Sequence, residues 1–437
     1  MRFILIYPFC AAMFCLCAWL SDRLYKRGVS ELNITVVSAV LGILTFVAQY
    51  FAVPQEGRMA DFTNAYYAAG KVAVVDKVAF AELLAKGATG FVNLPIVAFV
   101  FTPFSFLPKP VALVLFFGLG LFASVYVWRI LVRWAELNGP QSALMAFLMI
   151  GSGPVAYGVI VGNTSQMVMI AVLWGVIFMM RGKDWGAGVL FAAAALIKPA
   201  LLLLGVYALL RGRWRVSLAG MAVCVVAAFL SITVFGWSLH RIWLEQTIFP
   251  ALQGLIMAHN VQSIGGVVGR LFVGDLYLGN WDMHPVAPVV ATIIKIGQTI
   301  TIAIVAGSVV LLARKARPQQ TLAMEVSFIL FLILLLPNIS WNHYYVWAFL
   351  PLSLLLPSVF PLNKKNPETW LILAAAGMIA QPVAFWHGSS DWVNGLFARL
   401  IVSLPFVGAV LLLAISVRRV LLWDHLRDPG SFKLTDR

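Results

Sequence analysis

The chain has 437 residues, 62% of them hydrophobic and 11% charged, and a formal net charge of +14. That apolar share lies far outside the range of a soluble globular domain and marks an all-α polytopic membrane protein, organised as one membrane-embedded domain over residues 1–437. The basic excess sits in short clusters between apolar runs, the pattern of loops held on the cytoplasmic side, which argues against a nucleic-acid partner.

Taken in order, the first apolar run, residues 3–20, lacks a strongly basic start and a small-x-small cleavage site, so it is expected to be a retained span and not a signal peptide. Cys10, Cys15 and Cys17 lie in it, and with a single further cysteine they form neither a disulfide framework nor a ligand pair. Arg23, Lys26 and Arg27 place the next loop inside, which sends residues 34–54 outward. The same rule puts inside Arg129 and Arg133, Arg181 and Lys183, Arg211 to Arg215, Arg314 to Arg317, Lys364 and Lys365, and a cytoplasmic tail over 418–437. The turns between them are then outside: 61–109, 151–166, 235–288, 337–345 and 387–394.

Two outer loops are long, 55–109 and 235–288. In the first, Asp61 heads a run in which Phe62, Ala65, Tyr66, Ala69 and Val72 recur at helical spacing, which predicts a helix on the membrane surface. Asp61 there is either an N-cap or a functional carboxylate, flanked by Asn64 and Tyr67. A second short helix is expected near residues 79–86, followed by a stretch that Pro95, Pro103 and Pro108 interrupt and that reads as re-entrant or interfacial. Further on, residues 185–197 and 199–210 are each too short to cross as a straight helix, yet both have basic flanks. They are expected to form a hairpin with Lys198 and Pro199 at its tip. A lysine at membrane depth is costly unless it meets an anion or a wet cavity, or snorkels to the interface.

No Walker A loop, HExxH, CxxC pair, GxSxG elbow or strand-borne dinucleotide fingerprint occurs, so chemistry belongs to the outer face. There the polar groups are Asp61, Asn163 and Gln166 in GVIVGNTSQ, Asn260, Gln262, Ser263 and Arg270 in AHNVQSIGGVVGRLF, and His343 in NISWNHYYVW. A carboxylate, an imidazole, amide-rich turns, aromatic faces and one or two cations suit a sugar joined to a phosphate. Each also has a plainer reading: Trp341 and its neighbours as interfacial anchors, His343 as a structural hydrogen-bonder, Arg270 as a lipid contact. Glu245, Asp275, Asp282 and Asp391 are further carboxylates whose part is open.

Four segments, DFTNAYYAAG, GNTSQ, AGVLFAAAALIKPALLLL with RGRWR, and HNVQSIGGVVGRL with SWNHYYVW, together resemble the polyprenol-phosphate-dependent glycosyltransferases of the GT-C superfamily, in particular glycosyltransferase family 87 with its mannosyltransferases. The chain departs from that pattern in Asn93-Leu94-Pro95, in Gly162-Asn163-Thr164 and in Tyr344, which bears on the sugar and the acceptor. At about 20 residues per crossing, the resemblance implies a GT-C-like bundle of about 11–13 transmembrane helices with juxtamembrane helices on the outer face. It also implies an enzyme of the bacterial inner membrane, with its active site on the periplasmic side. Such an enzyme moves a hexose or pentose, mannose as a first guess, from a polyprenyl-phosphate sugar to a lipid or glycan acceptor, with inversion and without metal or other cofactor. Asp61 is then the base, assisted by a hydrogen bond from His343, and Lys198 and Arg270 hold the donor phosphate. Asn64, Tyr66, Tyr67, Asn163, Gln166, Asn260, Gln262, Ser263 and Trp341 contact sugar or acceptor. The rival classes are a lipid or glycan transporter or flippase, expected to show an inverted repeat, and a glycan ligase or polymerase, expected to carry more outer arginines.

Overall fold

The computed structural model describes residues 2–273, 277–315, 318–382 and 392–422. Asp275, Arg317, Asp391, most of the expected turn 387–394 and the tail beyond 422 lie outside the described residues. Within them the protein is an all-α polytopic membrane protein: no strand is formed, only isolated bridges between Leu255 and His284 and between Val261 and Trp341. Among the described residues, seven helices are long and apolar enough to cross a bilayer by length and composition, and seven shorter apolar helices accompany them.

The helices α1 (Arg2–Lys26) and α2 (Glu31–Ala52) form the first antiparallel pair. Ser30 caps α2 by accepting the Asn33 amide at 3.4 Å. The first outer segment follows as a 3-10 turn (Gln55–Gly57), a π-helical stretch (Phe62–Tyr67), α3 (Ala68–Val72), α4 (Lys77–Ala85), a second 3-10 turn (Pro95–Val97) and α5 (Ala98–Ser105). Asp76 starts α4 by accepting the amides of Val78 and Ala79. These short elements close on their own apolar cluster, with Phe62, Tyr66, Phe80, Phe91 and Phe101 buried in it. Gly70 permits the contact of α3 with α5, because a Cβ there would lie 2.6 Å from the Phe101 carbonyl oxygen.

α6 (Lys109–Trp134) returns across the bundle to α7 (Gly139–Gly151), which continues after a break at Ser152 as α8 (Gly153–Val161). This broken span is the most enclosed of the seven, with 89% of its apolar window buried, and it is the axis on which the site hangs. α2 lies along it at a close crossing, where a Cβ on Gly151 would sit 2.6 Å from the Gly42 oxygen. α9 (Ser165–Met180) leads to α10 (Asp184–Ile197), a 3-10 turn (Pro199–Leu201) and α11 (Leu202–Leu210). The free ends of α10 and α11 are tied together by Arg213, which bonds Asp184 at 2.9 Å and the Met179 carbonyl at 3.2 Å. The pair is therefore a hairpin with Lys198 at its tip. α12 (Trp214–Phe235) flanks it, then α13 (Trp237–Trp243), a π turn (Leu244–Ile248) and α14 (Phe249–Gln253).

The second half contains α15 (Ile264–Val273), α16 (Pro288–Lys315), α17 (Pro318–Leu335), a 3-10 helix (Asn342–Ala348), α18 (Phe349–Leu355), α19 (Pro367–Ile379), α20 (Trp392–Ile401) and α21 (Leu404–Leu421). Only 17% of the apolar window is buried in α12 and again in α16, so these two present most of their surface to lipid. The basic loops lock to one another or to acids at one end: Arg211 with Glu325, Arg418 and Arg419 with Glu368, and Lys26 with Asp22, which also accepts the Leu362 amide. The remaining turns gather at the other end, around a cavity.

Candidate active site

The cavity has a volume of about 1280 Å³ and draws its wall from α2, the π-helical stretch, α8, the hairpin tip, α14 and the 3-10 helix after α17. Segments more than 280 residues apart in sequence meet there, from Asp61 to His343.

Asp61 is placed by strain at its neighbour and by a left-handed glycine opposite. Met59 adopts φ 56°, a conformation rarely found outside glycine, and its amide bonds the Ile160 carbonyl at 2.7 Å, which pins the helix start to α8. Gly162 closes α8 at φ 74°, where an added Cβ would lie 2.7 Å from the Phe62 Cβ. Asp61 is itself helical, and its carboxylate caps nothing. The wide π turns let Phe62 and Tyr66 stack on Phe116 and Phe101, at 4.2 and 4.5 Å between ring centroids, while Asp61 and Asn64 face the cavity. π-Helical insertions of this kind are frequent at functional sites.

Asn163 joins the acid to the cation. Its Nδ2 donates to Asp61 Oδ2 at 2.7 Å, and its Oδ1 accepts from Lys198 Nζ at 3.1 Å. The same Oδ1 accepts from the amide and hydroxyl of Ser165, which fixes the plane of the amide. Lys198 lies 4.6 Å above the Tyr344 ring, a cation–π contact in an enclosed place. Its backbone is extended ahead of Pro199, and Asn93 holds the tip by donating to the carbonyls of Leu196 and Ile197. Burial raises the Asp61 carboxyl above its ordinary range, against the opposing pull of the Asn163 hydrogen bond and the Lys198 charge.

His343 lies on the same cavity but makes no hydrogen bond to Asp61. The ring stacks with Tyr157 and Trp341 and meets the edge of Tyr344, and neither of its nitrogens has a partner. Burial, then the nearby Lys198, push its pKa well below the usual imidazole value, so the ring is neutral at pH 7. A neutral imidazole with two free nitrogens can donate to one hydroxyl and accept from another.

Asn260 is set by its neighbours, donating to the Tyr157 hydroxyl at 3.2 Å and accepting from the Trp281 indole at 3.1 Å. With Asn64, Tyr66, Asn163, Lys198, Trp341 and His343 it lines the cavity. The other expected residues do not. Tyr67 donates its hydroxyl to the Leu107 carbonyl and packs in the first outer segment. Gln166 bonds the Val155 carbonyl, and Gln262 bonds those of His259 and Val402. Ser263 starts α15 by accepting the Gly266 amide. Arg270, expected at a phosphate, is fully buried and bonds the carbonyls of Ala258 and Val261 and the Ser403 hydroxyl. Its charge organises the 258–263 turn that presents Asn260, and it is absent from the cavity wall.

Sequence reading missed Tyr157, Tyr344, Trp281 and Asn93. Aromatic residues within apolar runs carry no signal that separates a cavity wall from a core. Asn93 and Tyr344 stand out in the sequence only as departures from a family pattern.

The profile of glycosyltransferase family 87 matches residues 91–337. The chain is 27% identical over 371 residues to the polyprenol-phosphate-mannose-dependent alpha-(1-2)-phosphatidylinositol pentamannoside mannosyltransferase of Mycolicibacterium smegmatis, covering 81% of this chain and 84% of that protein.

Proposed function

Because the chain belongs to glycosyltransferase family 87 and is a multi-pass membrane glycosyltransferase, we propose that it transfers a sugar, mannose as the first candidate, from a polyprenyl phosphate to a membrane glycolipid, with Asp61 as the base. The M. smegmatis relative supports the donor and acceptor classes through the substrates in its name. The observation that carries the reading is the Asp61–Asn163–Lys198 chain on the wall of one cavity, with acid and cation held by the two ends of a single amide.

In this reading the acceptor hydroxyl approaches Asp61, and its oxygen bonds to the anomeric carbon as the carboxylate takes its proton. The bond from the anomeric carbon to the phosphate oxygen breaks, and the prenyl phosphate leaves with the electron pair. Lys198 meets the charge that develops on the phosphate, in an enclosed site where such an interaction is strong. Direct displacement inverts the anomeric centre. His343, Asn260 and Asn64 read sugar or acceptor hydroxyls, and Tyr66 and Trp341 supply aromatic faces. The cavity is lined by turns expected outside and by none of the basic clusters, which supports a periplasmic site in a bacterial inner membrane.

The test is transfer by purified protein from labelled polyprenyl-phosphate sugars to a lipid extract, with the product anomer read by NMR. Product of inverted configuration supports the reading. Retained configuration, or no transfer from any such donor, overturns it.

A further inference from the structure

A second recess, of about 400 Å³, lies between the start of α2, the end of α6 and the start of α7. Its wall includes Glu31, Leu32 and Thr35 of α2 with Trp128, Arg129 and Arg133 of α6. Trp128 is held against α7 by donating its indole N–H to the Ser142 carbonyl at 3.1 Å. Arg129 and Arg133 stand one turn apart, and Arg129 comes five residues before α6 ends at Trp134. At about 1.5 Å per residue that is about 8 Å inside the helix end, a depth at which a guanidinium is costly unless it meets an anion or snorkels to water. Neither arginine has an ion pair among the described residues, whereas Arg211, Arg213, Arg418 and Arg419 each meet a protein acid. Glu31, the one acid among the described residues of the wall, is paired with neither arginine.

The recess is continued by an apolar furrow. α2 and α6 meet further along, where Phe46 lies edge-on to Phe117 at 6.1 Å between ring centroids. Before that contact, Ile43 on α2 and Val125 and Leu121 on α6 extend the stripes of the recess at steps of three and four, and they are 51%, 44% and 39% exposed. The stripe from Thr35 to Phe46 is about 17 Å long at the helical rise.

We propose that this recess binds the headgroup of an anionic phospholipid, with its phosphate on Arg129 and Arg133 and an acyl chain in the furrow between α2 and α6. The i, i+4 spacing puts both guanidinium groups on one face of α6, and their two charges outweigh that of Glu31. A free phosphate would suit the arginines and leave the furrow unfilled. A zwitterionic lipid would fill the furrow and bring its own cation to the arginines. An anionic phospholipid satisfies both parts. No residue is common to the walls of the recess and the active-site cavity, so the assignment is independent of the transfer reading.

The test uses the full-length protein in phosphatidylcholine nanodiscs doped with photoactivatable phosphatidylglycerol, whose diazirine sits near the glycerol end of an acyl chain. Label is expected on residues 32–43 and 121–133, about tenfold above that from the matched phosphatidylcholine probe, the scale of preference that two membrane-facing charges give. Arg129→Gln with Arg133→Gln removes that preference. Lys364→Gln with Lys365→Gln deletes the same charge at two exposed positions off the recess and leaves labelling within about twofold. Equal labelling of the parent chain by the two probes would overturn the site as plain lipid contact, and that comparison needs no variant to fold. An equal fall in both double variants would reduce it to diffuse surface charge, and displacement of the label by inorganic phosphate would give it to a free anion. Either result also overturns the proposal.

Discussion

At the scale of single residues, the site is built on a contrast between two cations. Lys198 and Arg270 look alike in sequence, each a lone positive charge in an apolar stretch. Lys198 has one neutral hydrogen-bond partner, an aromatic face and a cavity. Arg270 is occupied by carbonyls and a hydroxyl from its own surroundings. An arginine's five donors suit a backbone turn as well as they suit a phosphate, and pattern alone does not separate the two. In the sequence Asp61 reads equally as a helix cap or a functional carboxylate, and only the family resemblance favours the second; the structure leaves its carboxylate capping nothing, on the cavity wall, with Asn163 bonded to it. The imidazole of His343 was legible, but its partners were not: stacking replaces the expected bond to Asp61. A pH prediction follows from these environments. Asp61 must be ionised to act as base, and burial raises its pKa above the ordinary value of about 4, so activity should fall as pH drops through a midpoint higher than that. His343 is already neutral at pH 7, so His343→Gln should lower the rate without moving the acid limb. A limb that vanishes in His343→Gln would give the titration to the imidazole.

At the scale of elements, short and irregular pieces do the positioning. The π-helical stretch, the hairpin tip, the Gly162 turn and the 3-10 helix 342–348 all leave the regular spans where side chains must enter the cavity. The hairpin was readable because two half-length apolar runs share basic flanks. The π turns were not, since they follow the same apolar spacing as an α-helix. Gly162 is the tightest of these devices, with its positive φ and its contact to Phe62. Gly162→Ala should cost about 1–3 kcal/mol of stability from backbone strain alone. By shifting Asn163 it should also lower turnover about tenfold or more, since positioning errors of this size are costly. Thermal unfolding and turnover measured on the same detergent preparation check both. Parent-like turnover in the folded variant would show that the Asn163 turn tolerates displacement.

At the scale of the whole molecule, the alternation of basic and polar turns forecasts the two ends of the bundle. The number of spans is harder to read, because broken helices such as α7 with α8, and the half-length hairpin, carry the same composition as straight ones. In a background with its four native cysteines replaced, Asn64→Cys should react with a membrane-impermeant maleimide from the outer side, and Lys183→Cys only from the inner side. The reverse pattern would place the cavity in the cytoplasm. The most direct measurement compares Asp61→Asn and Lys198→Ala for donor affinity and single-turnover transfer. Loss of a general base is expected to slow transfer by about a hundredfold or more, with donor affinity retained in Asp61→Asn and weakened in Lys198→Ala. Transfer at the parent rate in Asp61→Asn would contradict the account.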